Sequence, residues 1–147
     1  MYTVIVMAAQ SKAQQLVGLL KKHRYVFEQY RLLSTTEMGE VLERDTGMEV
    51  THIFPARIAG DLQLSGLVCT NSVLAVFFLH DPLANDPSDA DIQPFLRSCD
   101  INNVPLATNV VSGDALAAWL ERKLEAGDED EDDAAGAEAE AEAGALP

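Results

Sequence analysis

Val73-Leu74-Ala75-Val76-Phe77-Phe78-Leu79-His80-Asp81-Pro82-Leu83 opens with seven apolar residues and stops abruptly at a carboxylate. Seven residues rich in β-branched and aromatic side chains are too few for a typical helix. They read as a strand buried on both faces, as in a parallel sheet. Asp81-Pro82 ends the run, because proline cannot continue the ladder and pushes the residue before it towards an extended conformation. Open α/β sheets bind ligands outside the carboxyl ends of their strands, so Asp81 stands at a candidate ligand edge. Asp-Pro is also an ordinary turn start, and the rest of the chain decides between the two.

Working outward from this strand, strand and helix signals alternate. A first strand is predicted over Thr3–Ala9, followed by a helix with Ser11 as its N-cap, Leu16, Leu19 and Leu20 on one face, and Lys21, Lys22 and His23 closing its last turn. Tyr25–Tyr30 extends or follows that helix, and Arg31–Thr35 is a second strand. A short helix, Met38–Asp45, ends near Gly47 as a C-cap, and Val50–Phe54 is a third strand. The loop 55–60 leads to a helix over Asp61–Thr70 and into the central strand. Beyond Asp81, Asp91–Ile101 reads as helix, Val104–Thr108 as a fifth strand and Gly113–Ala126 as a last helix. This alternation with short connections predicts a doubly wound, three-layer α/β/α sandwich on a parallel sheet.

At 147 residues the chain suits one domain that needs no disulfide or metal to hold its core. Cys69 and Cys99 form no metal-type or redox-type spacing and read as reduced, packed thiols of a cytosolic protein. The start lacks the basic segment and long apolar core of a secretory signal, and no stretch approaches 18 apolar residues. A soluble, cytoplasmic protein is expected, with no membrane partner. The net charge of −14 is unevenly placed: ten of the 24 acids lie from Glu125 onward, where there are no bases. Residues 1–124 therefore carry 14 acids against 10 bases, a net −4. The organisation expected is a domain over 1–124 and an acidic, Ala/Glu-rich, disordered tail over 125–147, with a solubilising role. So negative a chain is a poor partner for nucleic acid.

Residues just after each strand line the crevice of such a fold. They are Ala8-Ala9-Gln10-Ser11-Lys12, Ser34-Thr35-Thr36-Glu37-Met38-Gly39, Arg57 with Gly60-Asp61, His80-Asp81 with Asp91, and Thr108-Asn109. Three acids beside a lysine and hydroxyl-rich turns suit proton handling near a small anion, and turns leading into helices often cradle phosphate. Each also has a plain structural use: a solvated lysine, helix caps at Asp61 and Asp91, a turn at Ser34–Thr36. No metal site is visible.

Several of these motifs resemble the methylglyoxal synthase family. They are Gly60-Asp61-x-Gln63, Phe77-Phe78-x-x-Asp81-Pro82-Leu83, Asp91 with Leu96-Arg97, Val104-Pro105-Leu106-Ala107-Thr108-Asn109, and Thr46-Gly47-Met48, all within residues 3–120. The resemblance implies a five-stranded parallel sheet of order 3-2-1-4-5, a homohexamer, and a lyase without cofactor acting on a small phosphorylated metabolite. Asp61 would match the base that removes a carbon-bound proton from dihydroxyacetone phosphate, after which the enediolate expels phosphate to leave methylglyoxal. Lys12 and Thr35 would match phosphate contacts, with Gly39 closing the turn; Asp81 and Asp91 would match supporting acids. Gly60 precedes the base.

The chain departs from the family pattern at definite places. A His-Asp pair after strand one reads Ala8-Ala9, and the phosphate turn Thr-Gly-Thr-Thr-Gly reads Thr35-Thr36-Glu37-Met38-Gly39. A histidine expected after the Asp-Pro-Leu loop falls at Ser88, and a Gly-Pro reads Ala56-Arg57. Glu37 sets a carboxylate where phosphate would bind, and Arg57 is the candidate to pair with it or replace a lost anion contact. Three readings follow: a working lyase based on Asp61, a catalytically silent relative that binds another small anion or regulates, and an interaction protein acting through its tail. The retained Gly60-Asp61 pair favours the first.

Overall fold

The computed structural model describes residues 2–53, 60–70, 72–84 and 91–127, with the backbone alone at 60–62 and 64. Its elements in chain order are β1 (Thr3–Ala8), a 3-10 turn (Gln10–Lys12), α1 (Ala13–Lys22), α2 (Arg24–Phe27), β2 (Arg31–Thr35) and α3 (Thr36–Thr46). Then come β3 (Thr51–Ile53), α4 (Gly60–Val68), β4 (Val73–Leu79), α5 (Gln93–Asn102), β5 (Leu106–Ala107) and α6 (Val110–Glu125). All pairings are parallel and the sheet order is β3-β2-β1-β4-β5, the architecture expected.

The central strand covers the predicted Val73–Leu79. It pairs with β1 as far as Ala8 and Leu79, and the Ala9 N–H continues the ladder to the Leu79 carbonyl at 2.9 Å. Alternation along these strands feeds two cores. Val4, Val6, Ala75 and Phe77 join Leu16, Leu20, Phe27, Leu42 and Leu120 on the face covered by α1, α2, α3 and α6. Ile5, Met7, Val76 and Phe78 join Val68, Phe95 and Cys99 on the face covered by α4 and α5. Each face holds an edge-to-face aromatic pair, Phe27–Phe77 at 5.0 Å and Phe78–Phe95 at 5.2 Å between ring centroids.

Element ends depart from the sequence reading for local reasons. Ser11 is not a helix cap: the chain leaves β1 through the 3-10 turn, and α1 starts at Ala13 with no side-chain cap. The helix read as Met38–Asp45 starts at Thr36, so Thr36 and Glu37 are helical rather than part of a loop. Gly47 ends it as expected, at φ 70° with its N–H on the Glu43 carbonyl at 2.9 Å. The fifth strand shrinks to Leu106–Ala107, and α6 starts three residues early because Asn109 and Ser112 form a reciprocal capping box. Both cysteines are free, but only Cys99 is packed; Cys69 is exposed. Burial pushes the Cys99 thiol up to about 11. Phe54–Ala59, Ser88 and the tail beyond Gly127 lie outside the described residues.

Phe77 is fully buried in the larger core. Replacing it with alanine should cost about 3–5 kcal/mol through lost burial and the cavity left behind, read from urea unfolding. A loss below about 1 kcal/mol would show that this face closes without it.

Candidate functional site

The carboxyl edge of the sheet brings together the turn after β1, the start of α3 after β2, and the segment leaving β4. Asp81 is its best-defined acid. Its Oδ2 accepts the Ser11 hydroxyl at 2.8 Å, and its Oδ1 accepts the Leu83 backbone N–H at 3.0 Å. These two bonds, with the nearby Lys12 charge, hold the carboxyl below the ordinary aspartate range despite some desolvation. Lys12 ends the 3-10 turn and is half-buried. The juxtaposition of Lys12 and Asp81 thus comes from the β1–β4 pairing, with Ser11 as the bridge.

The start of α3 lies at the same edge, directly after β2. Thr35, buried at the end of β2, occupies the N-cap in an extended conformation but makes no side-chain capping bond. The Thr36 hydroxyl turns away and donates to the Ile53 carbonyl at 2.6 Å, tying the helix start to β3. Among the described residues, no side chain therefore caps the first-turn N–H groups of this 11-residue helix. Glu37 is exposed in that first turn, where a negative charge suits the helix dipole. Ala8 and Ala9, at the end of β1, are buried.

Gly39 has a packing role that the sequence reading did not contain. The ring of His52, on edge strand β3, lies so close that a Cβ at Gly39 would fall 2.5 Å from His52 Cδ2. His52 Nε2 is 3.3 Å from Glu43 Oε2, and Glu43 Oε1 accepts the Val50 N–H at 3.1 Å. This ties β3 onto α3. The position is glycine in a buried stretch of helix because an imidazole fills the space beside it.

Asp91 precedes α5, and its Oδ1 accepts the Gln93 N–H at 3.0 Å, holding the helix entry. Gly60 and Asp61 are the first two residues of α4; the Asp61 side chain and all of Arg57 lie outside the described residues. Among the described residues no group of three His, Cys, Asp or Glu could hold a metal ion. No helix there is long and apolar enough to cross a membrane. Ser11 is the residue of the edge that sequence reasoning misassigned. Local rules assign its hydroxyl to the next helix, whereas its partner is 70 positions away.

A five-stranded parallel sheet of order β3-β2-β1-β4-β5, with an acid and a lysine-bearing turn on its carboxyl edge, makes this a doubly wound α/β protein. No protein-family model matches the chain. It is 36% identical over 122 residues to methylglyoxal synthase of Thermus thermophilus, covering 83% of this chain and 97% of that protein. An uncharacterised protein of Synechocystis sp. is 34% identical over 113 residues, which are 77% of this chain and 26% of that one. Among solved structures, methylglyoxal synthase from Elizabethkingia anophelis superposes with a TM-score of 0.76 at 28% identity, covering 79% of this chain and 76% of that chain. The chain belongs to the methylglyoxal synthase family.

The lowered pKa of Asp81 has a consequence for stability. Its folded value lies below its unfolded one, so its contribution is complete above the ordinary aspartate range and is lost as pH falls through the lowered value. Asp81→Asn should therefore flatten the loss of stability below about pH 4, measured by urea unfolding at stepped pH. Part of the loss should persist, because Asp45 and Asp114 are shifted the same way by Arg44 and His23 respectively. An acid limb identical to that of the wild type would mean that the carboxylate bonds contribute nothing.

Proposed function

We propose that the chain is a phosphate-eliminating carbon–oxygen lyase that converts dihydroxyacetone phosphate to methylglyoxal and inorganic phosphate. Asp61 is the general base in this reading. It takes a proton from the carbon beside the carbonyl, the enediolate electrons expel the phosphate, and the enol tautomerises to the dicarbonyl product. The observation that carries the reading is the start of α3, whose first-turn N–H groups take no side-chain cap from Thr35 or from any other described residue. It follows β2, the neighbour of the strand that leads into the Lys12 turn. Helix N–H groups and an ammonium are the donors a phosphate leaving group needs. The similarity to methylglyoxal synthases over most of the chain supports the same chemistry.

In this scheme Thr35 supplies the extended backbone that aims α3 at the anion, and Arg57 is a further cation for the leaving group. Asp91 shapes the entry to α5. Gly60 starts the helix that carries the base. A homohexamer in the cytoplasm is the assembly and location that fit this reading.

A second reading has its own support. Glu37 stands exposed in the turn that would meet phosphate, and the end of β1 is two alanines rather than a polar pair. A catalytically silent relative that binds a different small anion would tolerate both. The Synechocystis protein, of which the matching region is about a quarter, shows the same kind of region inside a longer chain.

Methylglyoxal formation by the purified chain separates the two readings. The lyase should form product from dihydroxyacetone phosphate, and Asp61→Asn should lower the rate at least about 100-fold, the usual weight of a general base, without altering the fold. A folded wild type that forms none would establish the silent reading. Glu37→Thr should tighten inorganic phosphate binding, most at low salt, where charge repulsion is least screened. Equal affinities of the two proteins at every salt concentration would remove Glu37 from the anion site.

A further inference from the structure

Ser11 sits in the middle of the Gln10–Lys12 turn, a segment that buries none of its own side chains. Apolar packing therefore does not fix the turn. Its backbone is closed locally by the Lys12 N–H on the Ala9 carbonyl at 2.8 Å and the Ala13 N–H on the Gln10 carbonyl. Those bonds set the shape of the turn, and the Ala9 N–H on the Leu79 carbonyl at 2.9 Å sets where it leaves the sheet. The Ser11 hydroxyl, bonded to Asp81 at 2.8 Å, reaches across to the segment leaving β4. On that side Asp81 is held in turn. Its Oδ1 takes the Leu83 N–H at 3.0 Å and its carbonyl takes the Ala84 N–H at 3.3 Å. The result is a brace between the turn after β1 and the turn after β4, with one carboxylate at its centre.

We propose that Ser11 is a positioning residue: through Asp81 it locks the 10–12 turn, already placed by the sheet, to the segment leaving β4 and so steadies the position from which Lys12 presents its ammonium to an anion. Asp81 then serves as a brace and not as a proton carrier. A carboxylate with a donor on each oxygen is stabilised in its ionised form, which suits a fixed acceptor and not a general acid near neutral pH. Lys12 gains most from such a brace, because a lysine side chain is long and rotamer-rich. Holding its backbone is the part of the positioning that the fold can supply. The Lys12 part of the proposal rests on the anion-site reading above; the assignment of Asp81 as a brace does not.

The test uses the full chain with Ser11→Ala and Ser11→Thr. Ser11 is exposed, which leaves room for the added methyl of threonine. Three quantities are read: the Asp81 carboxyl titration by carbon NMR, amide hydrogen exchange at Lys12 and Ala13, and the affinity for inorganic phosphate. In Ser11→Ala the Asp81 midpoint should rise by about half a unit to one unit. Exchange at the two amides should quicken, and phosphate should bind about three- to tenfold more weakly, the range that the net value of one hydrogen bond spans. Ser11→Thr should return all three towards the wild type, which a purely steric role would not require.

An Asp81 midpoint and exchange rates unchanged in Ser11→Ala would overturn the brace. A loosened turn with unchanged phosphate affinity would overturn the role given to Lys12. If the wild type binds no phosphate, the anion-site reading falls and the Lys12 assignment with it. The titration and exchange then still decide on Asp81.

Discussion

The pairing of β1 with β4 is the constraint on which the rest depends. Both strands are buried along almost their whole length, so neither can offer a side chain to solvent except at its ends. Chemistry is thereby pushed to the strand termini, and parallel pairing puts every carboxyl terminus on one edge. The Ala9 N–H on the Leu79 carbonyl carries the ladder past the last paired residues. The turn bearing Lys12 and the turn bearing Asp81 must then leave the sheet side by side. The Ser11–Asp81 bond is short because the backbone has already been brought into register. It locks an arrangement that the sheet creates.

The face covered by α1, α2, α3 and α6 carries polar ties on two of its flanks. On one, α1 is joined to α6 by Asp114, whose Oδ1 meets His23 Nε2 at 2.7 Å and whose Oδ2 takes Lys22 Nζ at 3.1 Å. At the β3 side, a three-residue edge strand is too short to hold itself by ladder bonds alone. Glu43 compensates by accepting the Val50 N–H on Oε1 while its Oε2 lies 3.3 Å from His52 Nε2. That imidazole needs the missing Cβ of Gly39. The glycine that closes a phosphate turn in the family pattern thus has a second reason to be glycine here, and its presence alone is weak evidence for an anion site.

What could be read from the sequence follows from the range of each interaction. Val73–Leu79 was legible to the residue because a doubly buried strand must be apolar throughout, and Asp81-Pro82 has only one local meaning for the ladder. Gly47 was legible because a left-handed helix end selects glycine. Ser11 was misread because a serine before an apolar period is a good cap by local rules, while its actual partner lies 70 residues away. The early start of α3 escaped for a similar reason: the Thr36 hydroxyl is drawn to Ile53 on another strand. Of the candidate site, the sheet edge was legible from fold class, and so was the placement there of Lys12, Thr35 and Asp81. The division of labour among the acids was not, since it depends on which donors reach which oxygens.

Loss of the polar pair after β1 changes the electrostatics of what remains. Ala8 and Ala9 are buried methyl-bearing residues at the end of the strand beneath the Lys12 turn. Two buried methyls where the family pattern has polar groups make that side of the edge less polar, and a lower local dielectric strengthens charge interactions. This works in both directions. It raises the value of an ammonium or a helix N–H to an incoming anion, and it raises the cost of a carboxylate left facing that anion. Asp81 is removed from the conflict by its two donors, and Asp91 is engaged with the Gln93 N–H. Glu37, exposed in the first turn of α3, is the acid whose placement sets the sign of the field at the helix start. On the lyase reading proposed above, the affinity of this edge for an anion turns on the balance between Lys12 and Glu37 more than on the number of acids the sequence brings to it.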